Sequence, residues 1–484
     1  MNPFIAASPE IIMAVWGLLT PLIDAYSKKK DRLLTYWTFA GLLATLTAVI
    51  ALIKENAIIW DGILIIDPFS QFFKLVFLLV ALLVVGTAVS TKEIEDLGVY
   101  FSLVFYATLG MMLVASSGEF ITLFVSLELA TLSTFALAGF IKKDPASSEA
   151  ALKYFVIGAF SSAIILFGMS LVYGVTGSTY LPIISDSLSG LLSGHSMYNP
   201  VLTLGVILLI AGFGFEIAAV PFHLWVPDTY QGAPTTITIF LATGAEAMGF
   251  AAVFRIFSSS LAPLSSIWMT AFAFLAIITM TWGNVAALAQ NNVKRMLAYS
   301  SIGHAGYILI ALAVVTPLGF TGGFIHILAY VFMTGGAFAV VSFISNTYNA
   351  HTYEDYRGLR DIAPLSSFAL VIFLLSLAGV PPLAGFLSKF VLFAAAIGAN
   401  MAILAVFGII NSAVSLYYYA HVLKNMYFRD LPVKIEKKPE PRFFVLLMAA
   451  AVVLTFLIGL APEITIRLGM DAAKSLLCTT LACL

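Results

Sequence analysis

The chain has 484 residues, of which 61% are hydrophobic and 10% charged, with a formal net charge of −1. Soluble domains are about 45–50% apolar and about 25% charged, so a water-facing surface is excluded and an integral membrane protein is expected. A nucleic-acid partner is equally excluded, because that role needs a basic face.

A membrane-crossing helix needs about 20 mostly apolar residues. Fourteen such segments follow one another, near 9–26, 33–53, 70–90, 97–116, 119–141, 150–174, 200–222, 235–257, 266–289, 297–315, 320–346, 364–395, 401–424 and 442–462. The connections are short, and a short tail, 463–484, closes the chain. The runs are too long for strands and lack period-two alternation. The expected fold is an all-α integral membrane protein with about 14 transmembrane helices in a single membrane domain. No cleavable signal peptide is expected, since Pro9 and Glu10 interrupt the first apolar run. Cys478 and Cys483 form a C-x4-C pair without the further ligands that zinc or an iron–sulfur cluster requires.

The basic residues orient these segments. The loops that follow odd-numbered segments, with their helix edges, hold Lys28, Lys29, Lys30, Arg32, Lys92, Lys142, Lys143, Lys153, Lys294, Arg295, Arg357, Arg360, Lys424, Arg429, Lys434, Lys437, Lys438 and Arg442. The opposite ends hold Lys54, Lys74, Arg255, Arg467 and Lys474, and Lys389 lies within a segment. The positive-inside rule then places the first group in the cytoplasm and both termini outside.

Segments 7 and 12 meet prolines, in AVPFHLW at Pro221 and GVPPLAGF at Pro381-Pro382. Proline removes a backbone donor and clashes with the preceding turn, so both helices are expected to break. Irregular backbone at membrane depth is tolerated where protein buries it or a wet cavity adjoins it. Two breaks five helices apart suggest an inverted repeat of two five-helix units, segments 4–8 and 9–13. The chain then divides into 1–96, a first repeat at 97–257, a second at 266–424, and the last helix with its tail at 425–484.

Ionisable groups at membrane depth cost about 2.5–3.5 kcal/mol each on insertion scales. Glu128, Glu216, Glu246, His304, His326 and Lys389 fall within segments 5, 7, 8, 10, 11 and 12. Each alone reads as a structural pair or a group at a solvent crevice. As a set they suggest a polar line that handles protons, since burial favours the neutral forms of carboxyl and amine and lets either change state as a neighbour's charge moves. Gly322, His326, Tyr330 and Thr334 recur every four residues, a stripe that suits either water or close helix packing. His223 beside Pro221 suits hydrogen bonding to freed carbonyls as well as proton transfer.

PFHLWVPDTYQGAP at 221–234, KRMLAYSSIGHAGY at 294–307 and SLAGVPPLAGFLSKF at 376–390 resemble motifs of the antiporter-like membrane subunits of respiratory complex I. The PDTYQGAP form is similar to that of the N subunit, the subunit 2 type, and of related archaeal deazaflavin-dependent dehydrogenases. The resemblance implies proton translocation driven by redox chemistry elsewhere in a complex. It implies a central axis of Glu128, Glu216, Glu246, His304 and Lys389, with Lys153, His223, His326 and Tyr330 as a secondary path or support. It also implies no cofactor on this chain, with flavin and iron–sulfur clusters on partners. Those partners would be membrane subunits of the M, L, K and H types and peripheral redox subunits, with the complex in the cell membrane of a prokaryote. The sequence departs from the pattern at two positions. Where relatives carry lysine, this chain has Glu216 and Glu246, so the usual acid–base pair becomes Glu128 facing Glu216. Two such carboxyls tend to hold one proton between them, and Lys153 or Lys389 could offset the added negative charge. A cation/proton antiporter subunit and a membrane anchor, either structural or carrying a haem on His304 and His326, are the alternatives.

Overall fold

The computed structural model describes residues 1–27, 31–91, 93–193, 199–431 and 436–477; Lys28, Lys29, Lys30, Lys92, Lys434, Cys478 and Cys483 lie outside the described residues. The chain is nearly all helix. In order come α1 (Ser8–Ser27), α2 (Asp31–Ala51), α3 (Pro68–Thr91), α4 (Leu97–Ser116), α5 (Phe120–Ala138), α6 (Pro145–Thr176), α7 (Leu181–Ser193), α8 (Pro200–Glu216) and α9 (Trp225–Gly232). The rod α10 (Thr235–Ser260) follows. Then come α11 (Ser265–Leu288), α12 (Val293–Val314), α13 (Pro317–Tyr348), α14 (Pro364–Ala378), α15 (Ala384–Gly398), α16 (Ala402–Phe428), α17 (Arg442–Leu460) and α18 (Pro462–Leu477). Among the described residues, 12 helices are long and apolar enough to cross a membrane.

Helix starts follow local chemistry. Proline occupies the first turn of α6, α8 and α13, where its missing N–H costs nothing. The preceding Asp144, Asn199 and Thr316 accept hydrogen bonds from the next exposed amides. The α10 rod and α13 are buried along their length, and α12 nearly so. Apolar side chains cover these three on all sides, so whatever polar groups they carry lie at the centre of the protein.

Both expected breaks are present. Segment 7 stops at Glu216 and resumes as α9, and segment 12 stops at Ala378 and resumes as α15. Ala218 and Gly379 take left-handed backbone at φ 53° and 87°, and Val220–Pro221 and Pro381–Pro382 are cis. Side chains recover the backbone groups that the breaks release. Trp225 Nε1 donates to the Phe215 carbonyl at 3.1 Å, and Val220 N donates to Thr279 Oγ1 at 3.1 Å. At the second break, Lys389 Nζ donates to the Leu377 carbonyl at 2.8 Å and Ser412 Oγ to that of Ala378 at 3.0 Å.

Three expectations need correction. The tail contains α18, whose Thr465, Gly469, Ala472, Ala473 and Leu476 pack on α13 and α3. Its four interspersed charges dilute any apolar run, so a search for 20 hydrophobic residues passes over it. The same search misses the 13-residue α7. The fold also holds a small antiparallel hairpin, Ala57–Ile59 with Leu64–Ile66. Its tight turn has positive φ at Trp60, Asp61 and Gly62, and the strands are too short to show alternation.

Lys74 and Arg255, assigned from sequence to the outer ends, are fully buried in ion pairs. Lys74 Nζ lies 2.6 Å from Glu10 Oε1. Arg255 donates to both Asp67 oxygens at 2.7 and 2.9 Å and to the Ala115 carbonyl at 2.8 Å, over the face of Phe69. These pairs tie α1, α3 and α4 to the end of the α10 rod. Removing one partner of such a pair leaves a buried uncompensated charge. Arg255→Met is therefore expected to destabilise the protein by about 3–5 kcal/mol, and adding Asp67→Leu should recover part of the loss. Unfolding in detergent measures both; equal stability of the single and double variants would show that the charge pairing is immaterial.

Candidate functional site

The charged residues at membrane depth form a line across α5, α8, α10, α12, α13 and α15. At one end, Glu216 terminates α8 and is 3% exposed, and Glu128 of α5 lies close enough for the two charges to interact. One carboxylate oxygen of each is buried without a hydrogen-bond partner. Gly249 of α10 lets Glu216 sit this deep. A Cβ there would fall 2.9 Å from the backbone carbon, oxygen and Cβ of Glu216. Beside Glu216, the Tyr154 ring stacks on Phe215 and Trp225 at centroid distances of 6.0 and 4.5 Å, and its hydroxyl lies 3.3 Å from Thr134 Oγ1.

Glu246 occupies the next station, just after a π-helical turn at Leu241–Ala245. Such turns rotate the following side chains out of the regular register and recur at functional sites. Its Oε1 accepts from Tyr230 OH at 2.6 Å and from Ser301 Oγ at 2.5 Å. Beyond it, Ser300 contacts Tyr419 OH, which lies 3.4 Å from His304 Nε2. His304 Nδ1 meets His326 Nε2 at 3.0 Å, and His326 Nδ1 meets Ser388 Oγ at 2.9 Å. The Tyr330 ring lies 5.3 Å from that of His304 and stacks on His326 at 6.2 Å, with its hydroxyl toward Ser301 and Thr334. Lys389 ends the line. Its Nζ donates to Leu377 O and to Ser412 Oγ at 2.9 Å and lies 4.6 Å over the Tyr307 ring.

The structure thus brings Glu128, Glu216, Glu246, His304, His326, Tyr330 and Lys389 together. Lys153 is elsewhere. Its side chain is 42% exposed and bonds Glu149 at 2.7 Å and Asp228 at 2.8 Å. Arg295 completes this cluster at 2.7 Å from Asp228, around a cleft of about 270 Å³. Burial pushes the Asp228 carboxyl up, but the hydrogen bonds from Lys153 and Arg295 outweigh it and hold the group below the usual range. Neither lysine therefore sits between Glu128 and Glu216, because Lys153 serves the cleft and Lys389 the second break. His223 is buried against the backbone of Pro221 and the edge of Trp282, with Nδ1 unpartnered. Sequence reasoning missed Tyr230, Ser301, Ser388, Ser412 and Tyr419. Tyr230, Ser301 and Ser388 lie inside the quoted motifs, and three consecutive tyrosines at 417–419 in the middle of an apolar helix were a visible signal.

Gly249→Ala is expected to push α8 from α10 and lower stability by about 1–3 kcal/mol, the usual cost of overpacking. Thermal unfolding measures it, and unchanged stability would show that the close approach at Glu216 is not required.

The family described as NADH:quinone oxidoreductase/Mrp antiporter, TM, matches residues 117–415, which include every residue of the axis except Tyr419. F(420)H(2) dehydrogenase subunit N of Methanosarcina mazei is 43% identical, over 98% of this chain and 99% of its own length. NADH-quinone oxidoreductase subunit N of Trichlorobacter lovleyi is 38% identical over 96% of both. A chain of respiratory complex I from Thermus thermophilus superposes with a TM-score of 0.81 at 34% identity, covering 95% of this chain and 98% of that one. The chain is an integral membrane protein and belongs to the NADH:quinone oxidoreductase/Mrp antiporter transmembrane family, as a homologue of the N subunits.

Proposed function

We propose that this chain is the N-type, proton-translocating membrane subunit of a redox-driven complex, and that Glu128, Glu216, Glu246, His304 and Lys389 carry the proton. The observation that supports this most is the pair of buried polar clusters along α12, Tyr230–Glu246–Ser301 and His304–His326–Ser388, the second beside Lys389. A buried polar network of this length is costly unless nearly every member is satisfied, and its members can exchange protons with small rearrangements. Glu128 and Glu216 add a pair that shares negative charge without a nearby lysine, which favours a proton held between them.

Reduced deazaflavin is the electron donor that the archaeal relative suggests, with NADH or ferredoxin as the other donors of this class and a quinone or phenazine-type acceptor. Flavin and iron–sulfur clusters then reside on partner subunits. Haem ligation by His304 and His326 would require both rings to leave their mutual hydrogen bond. The twelve uninterrupted helices and the two broken ones make fourteen crossings, with units 97–257 and 266–424 as inverted repeats and both termini outside. Lys153, Asp228 and Arg295 then line a cytoplasmic mouth, and His223 supports the first break. M-, L-, K- and H-type subunits flank the chain in a prokaryotic cell membrane.

The test is proton pumping by the intact complex in sealed vesicles. Glu216→Gln and Glu246→Gln are each expected to lower the protons moved per electron. Glu216→Lys and Glu246→Lys, which restore the residue found in relatives, are expected to retain more pumping than the glutamines. A wild-type ratio in both glutamine variants, or a flux that needs sodium and no electron donor, would contradict the assignment.

A further inference from the structure

The two halves of the axis meet at a gap. Ser301 serves Glu246 and the histidines lie beyond, so a proton leaving the Glu246 region needs a group that reaches His304. One side chain fills that position. Tyr419 of α16 is fully buried, and its hydroxyl contacts Ser300 on one side and His304 Nε2 on the other. Ser300 and Ser301 are consecutive on α12, so the residues that contact Tyr419 and Glu246 are neighbours along one helix.

The polarity of the hydrogen bonds follows from the far end. Ser388 Oγ lies 3.1 Å from the Gly385 carbonyl, which can only accept. A serine hydroxyl has one proton, so Ser388 accepts from His326 Nδ1–H. A neutral His326 then offers Nε2 as an acceptor to His304 Nδ1–H, and His304 Nε2 in turn accepts from Tyr419 O–H. The tyrosine oxygen accepts from Ser300. Every donor in the chain points away from Glu246.

Building on the proton-translocation reading above, we propose that Tyr419 is a proton-relay residue that joins the Glu246 half of the axis to the His304–His326 pair. A proton reaching Ser300 Oγ displaces the serine proton to the Tyr419 oxygen, and the tyrosine proton passes to His304 Nε2. His304, briefly protonated on both nitrogens, gives its Nδ1 proton to His326 Nε2. The excess proton comes to rest on His326, which then carries hydrogen on both ring nitrogens; the bond broken at the group that protonates Ser300 balances the bond formed at His326 Nε2, and no electrons move. His304 is left with its proton on Nε2, so the chain must reset before the next transfer.

Tyr419→Phe keeps the ring, and with it the packing on Tyr418 at 4.5 Å, while removing only the hydroxyl. In the intact complex in sealed vesicles, this variant is expected to assemble and to lose the contribution of this subunit to the protons moved per electron. Ser300→Ala should lose the same amount, and the double variant no more than either. Assembled Tyr419→Phe complex with the wild-type ratio would overturn the relay, as would losses that add in the double variant. Glu246→Gln, measured alongside, separates the two readings. A loss there with none in Tyr419→Phe removes the relay alone, whereas wild-type ratios in both remove proton translocation by this axis.

Discussion

Hydrocarbon supplies no water to an exposed peptide group, so a helix broken at membrane depth must have its freed carbonyls and amides met by the protein itself. Both breaks here are met by side chains, and at the second those side chains belong to the axis. Lys389 and Ser412 bond the carbonyls of Leu377 and Ala378 and also bond each other. The break holds the lysine amine in place, and the amine keeps the break solvated. A change in the charge of Lys389 is therefore felt by backbone geometry directly, without a chain of intermediates.

The frame around the axis is built differently. Arg255 with Asp67 and Lys74 with Glu10 are closed, direct pairs with short contacts, and they lock the first helices to the end of the central rod. The axis is instead a set of hydroxyl, carboxylate and imidazole contacts, with Tyr230 and Ser301 on Glu246 and His304 on His326 on Ser388. Two of its acids sit where the helices are irregular, Glu216 at the first break and Glu246 after the π-helical turn.

Much of this was legible in the sequence, because the bilayer imposes long apolar runs and makes every buried charge conspicuous. Glu128, Glu216, Glu246, His304, His326 and Lys389 stood out for that reason, and the prolines at 221 and 381–382 marked both breaks. What escaped had no such signature. The α18 helix mixes charges with small residues, and α7 is shorter than a membrane crossing. Hydroxyl residues such as Ser301, Ser388 and Tyr419 are common in apolar helices, and only the packing of α16 on α12 and α15 shows which of them meet the axis. The contact of Lys153 with Asp228 was equally hidden, because the two are far apart along the chain and only the fold brings them together.

The central claim is that acids at 216 and 246 gain and lose protons during turnover. Redox-induced infrared difference spectra of the intact complex read protonated carboxyl groups directly. The account predicts carboxyl bands that change on reduction and disappear individually in Glu216→Gln and Glu246→Gln. Spectra in which neither substitution alters a carboxyl band would contradict it.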